Sequence, residues 1–211
     1  MNLESPSNLS LRHSLLKFAG MIILLLLPGC TLLHPAFDKS LEPTSADTMS
    51  HWKLKGKIGI RTKEDGGSAH LRWIQQGSRY ELSLSGPLGQ GAASIHGNQS
   101  GVTLKSRRTG TLYADTPEQL ISKAFGWHVP ISNLLYWIKG SPTPDHNLTQ
   151  THSRYDEAGR LESFSQHGWT IQYSRFRQVN ELFLPHKTVI KQDDIKVTLI
   201  VSKWELGRQS L

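Results

Sequence analysis

The chain has almost no cysteine: Cys30 is the only one among its 211 residues. A disulfide bond within the chain needs two thiols, and the common structural zinc sites need several cysteine ligands. The sequence therefore excludes a disulfide framework and a cysteine-based zinc site. Its stability has to come from a packed core, for which the length suits a single domain.

The sequence also lacks a catalytic constellation. Its ten histidines are dispersed and form neither an H-x-x-x-H nor an H-E-x-x-H pattern, and no G-x-S-x-G nucleophile elbow is present. Gly86, Gly89 and Gly91 follow a predicted strand, but no long helix begins there, so a dinucleotide-binding turn is excluded. We therefore expect no enzymatic activity, no metal and no cofactor.

No apolar run is long enough to cross a membrane. The longest starts at Phe18 and has about half of the roughly 20 residues that a transmembrane helix requires. Arg12 and Lys17 precede this run, and Gly29 ends it. A basic start, a short apolar middle and a small-residue end are typical of a secretory signal, which we predict over residues 1–29.

The end of the predicted signal, Leu27-Pro28-Gly29-Cys30, resembles the lipobox of bacterial lipoproteins, although Pro28 departs from the residues usual there. In that class the cysteine thiol takes a diacylglycerol, the chain is cut before it, and the new amino terminus is acylated. We therefore expect a lipid on Cys30; an incidental thiol behind a non-lipidated signal is the alternative. Lipoproteins kept at the inner membrane typically carry aspartate next, so Thr31 implies the outer membrane. Residues 30–50 are polar and aperiodic, which predicts a flexible tether.

Positive charge is in modest excess, with 24 Lys and Arg against 17 Asp and Glu. Arg107-Arg108 is the only adjacent pair, and the other basic residues are scattered singly along the predicted strands. Scattered charge is typical of a solvated surface, whereas a binding patch requires clustering. We expect no nucleic-acid binding, while the excess also suits an anionic membrane surface or an acidic partner.

Alternation of apolar and polar residues predicts β-strands over most of residues 51–211. In Trp52–Ile60, for example, large apolar side chains alternate with lysines, which predicts one buried face. Short turns separate the segments, so neighbouring strands are expected to pair antiparallel. The further predicted strands are Ala69–Ile74, Tyr80–Ser85, Ala93–His96, Val102–Lys105, Leu112–Ala114, Leu161–Gln166, Trp169–Arg175, Thr188–Lys191 and Ile195–Trp204.

Two short helices are predicted between the two blocks of strands. Thr116-Pro117 is typical of an N-cap followed by a first-turn proline, and an apolar stripe from Leu120 to Phe125 precedes the helix-ending Gly126. A second apolar stripe predicts a helix over Ser132–Lys139. The pattern indicates an α+β, mainly β domain with its helices on one side of a sheet.

Seven segments, in order along the whole predicted domain, resemble the outer-membrane lipoprotein receptor family LolB. They are Gly56–Arg61, Leu71–Trp73, Gly86–Gly89, Phe125–Pro130, Leu135–Gly140, Gly159-Arg160 and Gln166–Trp169. The resemblance implies an unclosed antiparallel β-barrel of about eleven strands, with short helices forming a lid over a hydrophobic cavity. It also implies a monomer, lipid-anchored on the periplasmic face of the outer membrane. Such a receptor accepts acylated lipoproteins from a soluble periplasmic, LolA-like carrier and inserts them into the inner leaflet of that membrane.

A barrel of this kind would hold acyl chains on its inward-facing side chains, because an unclosed barrel need not fill its own interior. The candidates for these contacts are Ile58, Ile60, Leu71, Trp73, Tyr80, Leu82, Leu84, Leu134 and Ile138. Periodicity fixes a face but not what the face contacts, so an ordinary closed core stays open for each of them. The alternative function is accordingly a structural outer-membrane lipoprotein whose closed β core contacts envelope proteins or the cell wall.

Leu88 is the remaining candidate. It lies between Pro87 and Gly89 in a turn that begins at Gly86, and turn geometry predicts an exposed side chain. In the family that the chain resembles, the leucine of the matching loop serves membrane insertion. The resemblance therefore implies that Leu88 contacts the bilayer.

Overall fold

A computed structural model describes residue 46 and residues 49–86, 91–144 and 151–207. The predicted signal, Cys30 and the loop residues Pro87, Leu88 and Gly89 lie outside these ranges. Within the described ranges, no helix is both long and apolar enough to cross a membrane.

Eleven of the thirteen strands in the described ranges form a single antiparallel sheet, in the order β6-β5-β4-β3-β2-β1-β13-β12-β9-β8-β7. The two edge strands do not pair with each other, so the sheet is unclosed, as predicted. Strands β10 and β11 form a separate ribbon. The strands are β1 His51–Arg61, β2 Gly66–Gln76, β3 Arg79–Ser85, β4 Ala93–Asn98, β5 Gly101–Ser106, β6 Gly110–Ala114, β7 Thr151–Tyr155, β8 Leu161–Gln166, β9 Trp169–Ser174, β10 Arg177–Val179, β11 Leu182–Leu184, β12 Lys187–Gln192 and β13 Ile195–Leu206.

Helix α1 spans Pro117–Phe125 with the predicted caps. The Thr116 hydroxyl accepts a hydrogen bond from the backbone N–H of Gln119, and Gly126 ends the helix in the left-handed region with a φ of 73°. Helix α2 spans Ile131–Trp137, so it ends two residues before the predicted end at Lys139. The chain turns there because Gly140 adopts a positive φ of 96° and donates its N–H to the Trp137 carbonyl.

The concave face of the sheet carries two apolar clusters. The large cluster joins strands β1, β2, β8, β9, β12 and β13 to α2, and its centre holds Trp52, whose ring lies 5.2 Å from that of Trp73 and 5.3 Å from that of Trp204. The small cluster joins strands β4, β5 and β6 to α1. Between them lies β3, whose Leu82 and Leu84 touch both clusters yet stay only partly buried.

One fully buried tryptophan attaches α2 to the far half of the sheet. The indole N–H of Trp137 donates to the Gln166 side-chain oxygen on β8 at 2.9 Å. The same amide also bonds both backbone groups of Thr143, just beyond the helix. Because all of these buried polar groups are paired, α2 has one defined position on the sheet.

The first and last strands meet at a close backbone contact. The β1–β13 register shifts between Lys55 and Gly56, where Ser202 is the extra residue and donates its hydroxyl to the Lys55 carbonyl. A Cβ atom at Gly56 would collide with the backbone carbonyl of Ile200. Only glycine therefore allows β13 to approach β1 at this bulge.

We expect Gly56→Ala to destabilise the domain by about 1–3 kcal/mol, since neither backbone can move without disturbing the central strand pair. Urea-induced unfolding measures this change. Gly67→Ala in the neighbouring strand is the matched control because a Cβ there meets no atom within 4 Å, and its effect should stay within about 0.5 kcal/mol. Equal stability of the two variants would contradict the close contact.

Candidate functional site

An apolar cavity of about 300 Å³ lies where the two clusters leave a gap, between strands β2–β5 and the two helices. The sheet supplies Trp73, Tyr80, Leu82, Ile95 and Val102 to its wall. The helices supply the opposite wall, which consists of Pro117, Leu120 and Ile121 from α1 and Ile131, Ser132 and Leu135 from α2. The cavity therefore has the predicted position, under a lid of two short helices.

Polar lining residues gather at one end of the cavity. Gly77 and Ser78 belong to the β2–β3 turn, and Asn98 and Gln99 to the β4–β5 turn. These turns lie at the same end of the sheet because β2, β3, β4 and β5 alternate in direction. We call these four residues the polar rim.

Gln75 orients the largest side chain in the wall. Its side-chain oxygen accepts a hydrogen bond from the Trp73 indole N–H at 3.0 Å, and its amide donates to the Gly77 carbonyl at 2.7 Å. Both side chains are about 95% buried. With its only donor satisfied, the Trp73 ring is an entirely apolar surface toward the cavity.

The helices of the lid are joined where they start. The Glu118 carboxylate in the first turn of α1 accepts a hydrogen bond from the Ser132 backbone N–H of α2 at 2.6 Å. The N-terminal N–H groups of a helix have no partner within it, so a carboxylate there is stabilising. This bond couples the two halves of the lid.

Tyr80 stands beside this connection, half-buried in the cavity wall. Burial disfavours its phenolate, and the negative charge of Glu118 disfavours it further, so the pKa of Tyr80 rises from 10.0 to about 12. Its ring also covers Gly97 on β4, where a Cβ would collide with the ring. Tyr80 is thus a neutral, fixed part of the wall at ordinary pH.

A larger surface pocket, of about 530 Å³, lies on the other face of the sheet over strands β2–β6. Its lining includes Arg79, Glu81, His96, Asn98 and Thr103. Polar side chains such as these lose water contacts without gain when a hydrocarbon covers them. The smaller, apolar cavity is therefore the one suited to binding a hydrocarbon.

The cavity offers burial rather than reaction chemistry. Its walls present apolar side chains to a ligand, and among the described residues no three His, Cys, Asp or Glu side chains are arranged to hold a metal ion. A hydrocarbon gains about 0.8 kcal/mol for each methylene that leaves water. An extended apolar chain is the ligand that such walls favour.

Comparison with known proteins identifies the family. The model of the family described as outer membrane lipoprotein LolB matches residues 50–204. The chain belongs to the LolB family. The outer-membrane lipoprotein LolB of Pseudomonas aeruginosa PAO1 is 36% identical over 203 residues, which cover 90% of this chain and 98% of that protein. LolB of Pseudomonas putida KT2440 is 37% identical over 158 residues, covering 75% and 76% of the two chains.

A solved structure shares the fold. A LolA superfamily protein from Nitrosomonas europaea superposes with a TM-score of 0.52 at 7% identity, over 77% of this chain and 89% of that one. The LolB assignment and the unclosed antiparallel sheet with short helices, both expected from the sequence, are confirmed. An outer-membrane lipoprotein is likewise what the LolB relatives are named.

The structure distributes the nine candidate acyl-chain residues over three environments. Trp73, Tyr80 and Leu82 border the cavity. Leu71, Leu134 and Ile138 are buried in the large cluster, and Ile58, Ile60 and Leu84 are partly buried against it. Contact of any of these side chains with an acyl chain stays a prediction.

Several residues of the cavity wall were not predicted from the sequence. They are Ile95, Val102, Leu120, Ile121, Ile131 and Leu135. The apolar stripe of α1 and the alternation in β4 and β5 gave a signal for a buried face. They could not show that this face meets open space, because that depends on where α1 lies relative to α2.

The two candidates for membrane contact, Cys30 and Leu88, fall outside the described residues of this LolB family member. Gly86, the first residue of the Leu88 loop, is described and partly buried at the end of β3. This end of the sheet is opposite to the polar rim, since β3 begins after Gly77 and Ser78. The roles of Cys30 and Leu88 remain predictions.

The raised pKa of Tyr80 gives a direct test of the wall. We expect Tyr80 to ionise late, near pH 12, in a step that appears in the difference between the tyrosinate absorbance of the folded protein and that of Tyr80→Phe. Because the folded state holds this proton more tightly, the stabilisation is complete below pH 10 and is lost as the pH rises toward 12. Tyr80→Phe should remove the late step, and Glu118→Gln should shift it to lower pH.

Tyr155→Phe on the exposed edge strand is the control and should retain the late step. A titration above pH 10 that is unchanged in Tyr80→Phe would show that Tyr80 is not buried beside Glu118.

Proposed function

We propose that this chain is an outer-membrane lipoprotein receptor that takes the acyl chains of lipoproteins into the cavity and inserts those lipoproteins into the outer membrane. The apolar cavity between the two clusters is the observation that carries the proposal. Membership of the LolB family supports the outer membrane as the location. The proposed donor is a soluble periplasmic carrier similar to LolA.

The cavity favours a carrier over a structural lipoprotein with a closed core. Protein interiors pack as densely as organic crystals and contain few voids larger than a water molecule. The apolar space of about 300 Å³ between strands β2–β5 and the two helices is at the lower end of the range for ligand sites. A closed core built only for stability would fill this space with side chains.

Transfer through such a cavity requires no chemical step. Acyl chains cannot cross water freely because each exposed methylene costs about 0.8 kcal/mol. A wall that buries part of the chain binds it less strongly than a bilayer, which surrounds it completely. Lipoproteins can therefore pass from carrier to receptor to membrane down a gradient of affinity, without nucleotide hydrolysis.

The start of the domain lies beside the polar rim. The Ser50 carbonyl accepts a hydrogen bond from the Gly77 N–H at 2.8 Å, and Met49 is buried in the large cluster. The buried Lys139 directs its ammonium group toward the Met49 carbonyl at 3.5 Å. A tether from an acylated Cys30, on the periplasmic face of the membrane, would thus join the domain at the end where the cavity has its polar residues.

Filling the cavity should reduce acyl binding. Leu82→Trp adds an indole to the wall, and the loss of room for two methylenes corresponds to about 1.6 kcal/mol, or more than tenfold in affinity. Titration with a fluorescent fatty-acid probe measures the change. Displacement of the probe by an acylated peptide shows that both occupy the same site.

Leu112→Trp is the matched control, because Leu112 is also partly buried but packs in the small cluster and does not border the cavity. Its affinity for the probe should stay within about twofold of the unmodified protein. Equal loss in both variants, or none in Leu82→Trp, would contradict the cavity as the acyl site.

A separate variant tests the proposed membrane contact. Leu88→Glu should bind lipoprotein normally but fail to deliver it to liposomes, because a carboxylate opposes entry of the loop into the apolar interface. Transfer of a labelled lipoprotein from receptor to liposomes is the measurement. Leu88→Ile retains an apolar tip and should deliver normally, while full delivery by Leu88→Glu would refute the role of Leu88.

A further inference from the structure

Basic residues that lie singly in the sequence converge on the convex side of the sheet. They occupy the outward positions of four adjacent strands, β2, β1, β13 and β12. We call this set the basic face, and it consists of Lys53, Lys55, Lys57, Arg61, Arg72, Lys187, Lys191, Lys196 and Lys203. All but Lys187 are exposed, and Lys187 is partly exposed.

The strand register places cations directly opposite cations. Lys55 pairs with Arg72 on one side and with Lys203 on the other, which forms a row of three across β2, β1 and β13. Lys196 is likewise opposite both Arg61 and Lys191. Like charges in direct cross-strand positions destabilise a sheet. Two such rows on one face indicate that the face has an anionic partner outside the chain.

Few acidic groups offset these cations. Glu205 is the only carboxylate at the outward positions of the four strands, and it bonds Lys203 at 2.9 Å. Lys203, and more weakly Lys53 and Lys55, hold the pKa of Glu205 below its usual range. Of the other nearby acids, Glu81 lies on the adjoining strand β3, opposite Ile74, and Glu64, Asp65, Asp193 and Asp194 lie in the turns at one end of the face.

The composition of the basic face is better suited to binding the mobile headgroups of an anionic lipid surface than to binding a folded protein. Seven of its nine cations are lysines, which act as flexible point charges, whereas arginine provides the fixed geometry of a specific pair. Protein interfaces are depleted of lysine and enriched in aromatic residues. The exposed side chain at the middle of this face is instead Ile200, flanked by Lys57 and Lys187.

The position of the basic face in the chain also favours an anionic lipid surface as its partner. Its central strand, β1, starts at His51, directly after the segment that leads back to Cys30. A polybasic surface beside a lipid anchor adds an electrostatic attraction to anionic headgroups. A face at the base of the tether is held where it can reach the headgroups.

We propose that the basic face is a second membrane contact that binds the phosphate groups of anionic phospholipids. The proposal rests on residence at the outer membrane and not on the cavity or on acyl transfer. Bound in this way, the convex side of the sheet lies against the bilayer, and the helices face the periplasm.

A single labelled cysteine tests the orientation. The diacylglycerol expected on Cys30, the only native cysteine, blocks its thiol, so Ile200→Cys provides one free thiol for a fluorescent dye. The acylated full-length receptor is reconstituted in phosphatidylethanolamine vesicles that contain a headgroup-nitroxide lipid, with or without phosphatidylglycerol. We expect strong quenching of the dye only with phosphatidylglycerol, and loss of quenching at high salt.

Charge reversal identifies the residues responsible. Lys55→Glu combined with Arg72→Glu should abolish the quenching that depends on phosphatidylglycerol. Lys105→Glu combined with Arg107→Glu makes the same change in net charge at exposed positions outside the face and should leave quenching intact. A dye at Tyr155→Cys, on the far edge of the sheet, should not respond to phosphatidylglycerol.

Three outcomes would overturn the proposal. Quenching at Ile200→Cys that is the same with and without phosphatidylglycerol would mean that the face does not bind anionic lipid, and would leave an acidic protein as its partner. Equal loss of quenching in both charge-reversal variants would mean that quenching depends on the net charge of the protein and not on the basic face. Loss of quenching on adding inorganic phosphate at constant ionic strength would identify a site for free phosphate. Delivery assays remain independent of all three.

Discussion

Two short helices cannot cover the apolar side of an eleven-stranded sheet, and the other features of the fold follow from this mismatch. Strands about 4.8 Å apart give a sheet roughly 50 Å wide before it curves. Each helix covers about 10 Å of this width. Helix α2 is fixed over the far half of the sheet by Trp137 and Gln166. Helix α1 packs on strands β4–β6, at the other edge of the sheet. The strip above β3 is left without side chains to fill it, and the cavity is that strip.

Because of this mismatch, different parts of the domain have different roles. The large cluster, with its joined tryptophans, gives the domain its stability. The two helices, linked by Glu118 and Ser132, close the cavity. The convex side carries the lysines, which belong to neither apolar cluster. Binding of acyl chains, closure of the cavity and contact with anionic surfaces can therefore change independently in this LolB family member.

Alternation and capping signals were sufficient to predict most of the sheet and both helices. Apolar and polar residues alternate in Trp52–Ile60, and Thr116–Gly126 contains both helix caps, so these signals are local in the sequence. Strand β7 and the three-residue strands β10 and β11 were missed, since Arg177–Val179 and Leu182–Leu184 are too short for a period to show. The cavity wall was predicted only for Trp73, Tyr80 and Leu82. Leu134 and Ile138 have the same apolar character but face the filled half of the sheet. Alternation placed the lysines of Trp52–Ile60 on one strand face, but the joining of that face with those of three other strands depends on register and could not be predicted.

The most direct test of the central claim follows an acyl chain through the cavity. A photo-crosslinking amino acid in place of Leu82 is illuminated at intervals while an acylated lipoprotein passes from a soluble carrier, through the anchored receptor, to liposomes. If the cavity is the acyl site, an adduct with the lipid part of the lipoprotein appears as the carrier empties and disappears as the liposomes fill, and the same group in place of Leu112 yields none. Complete transfer without an adduct at position 82 would contradict passage through the cavity.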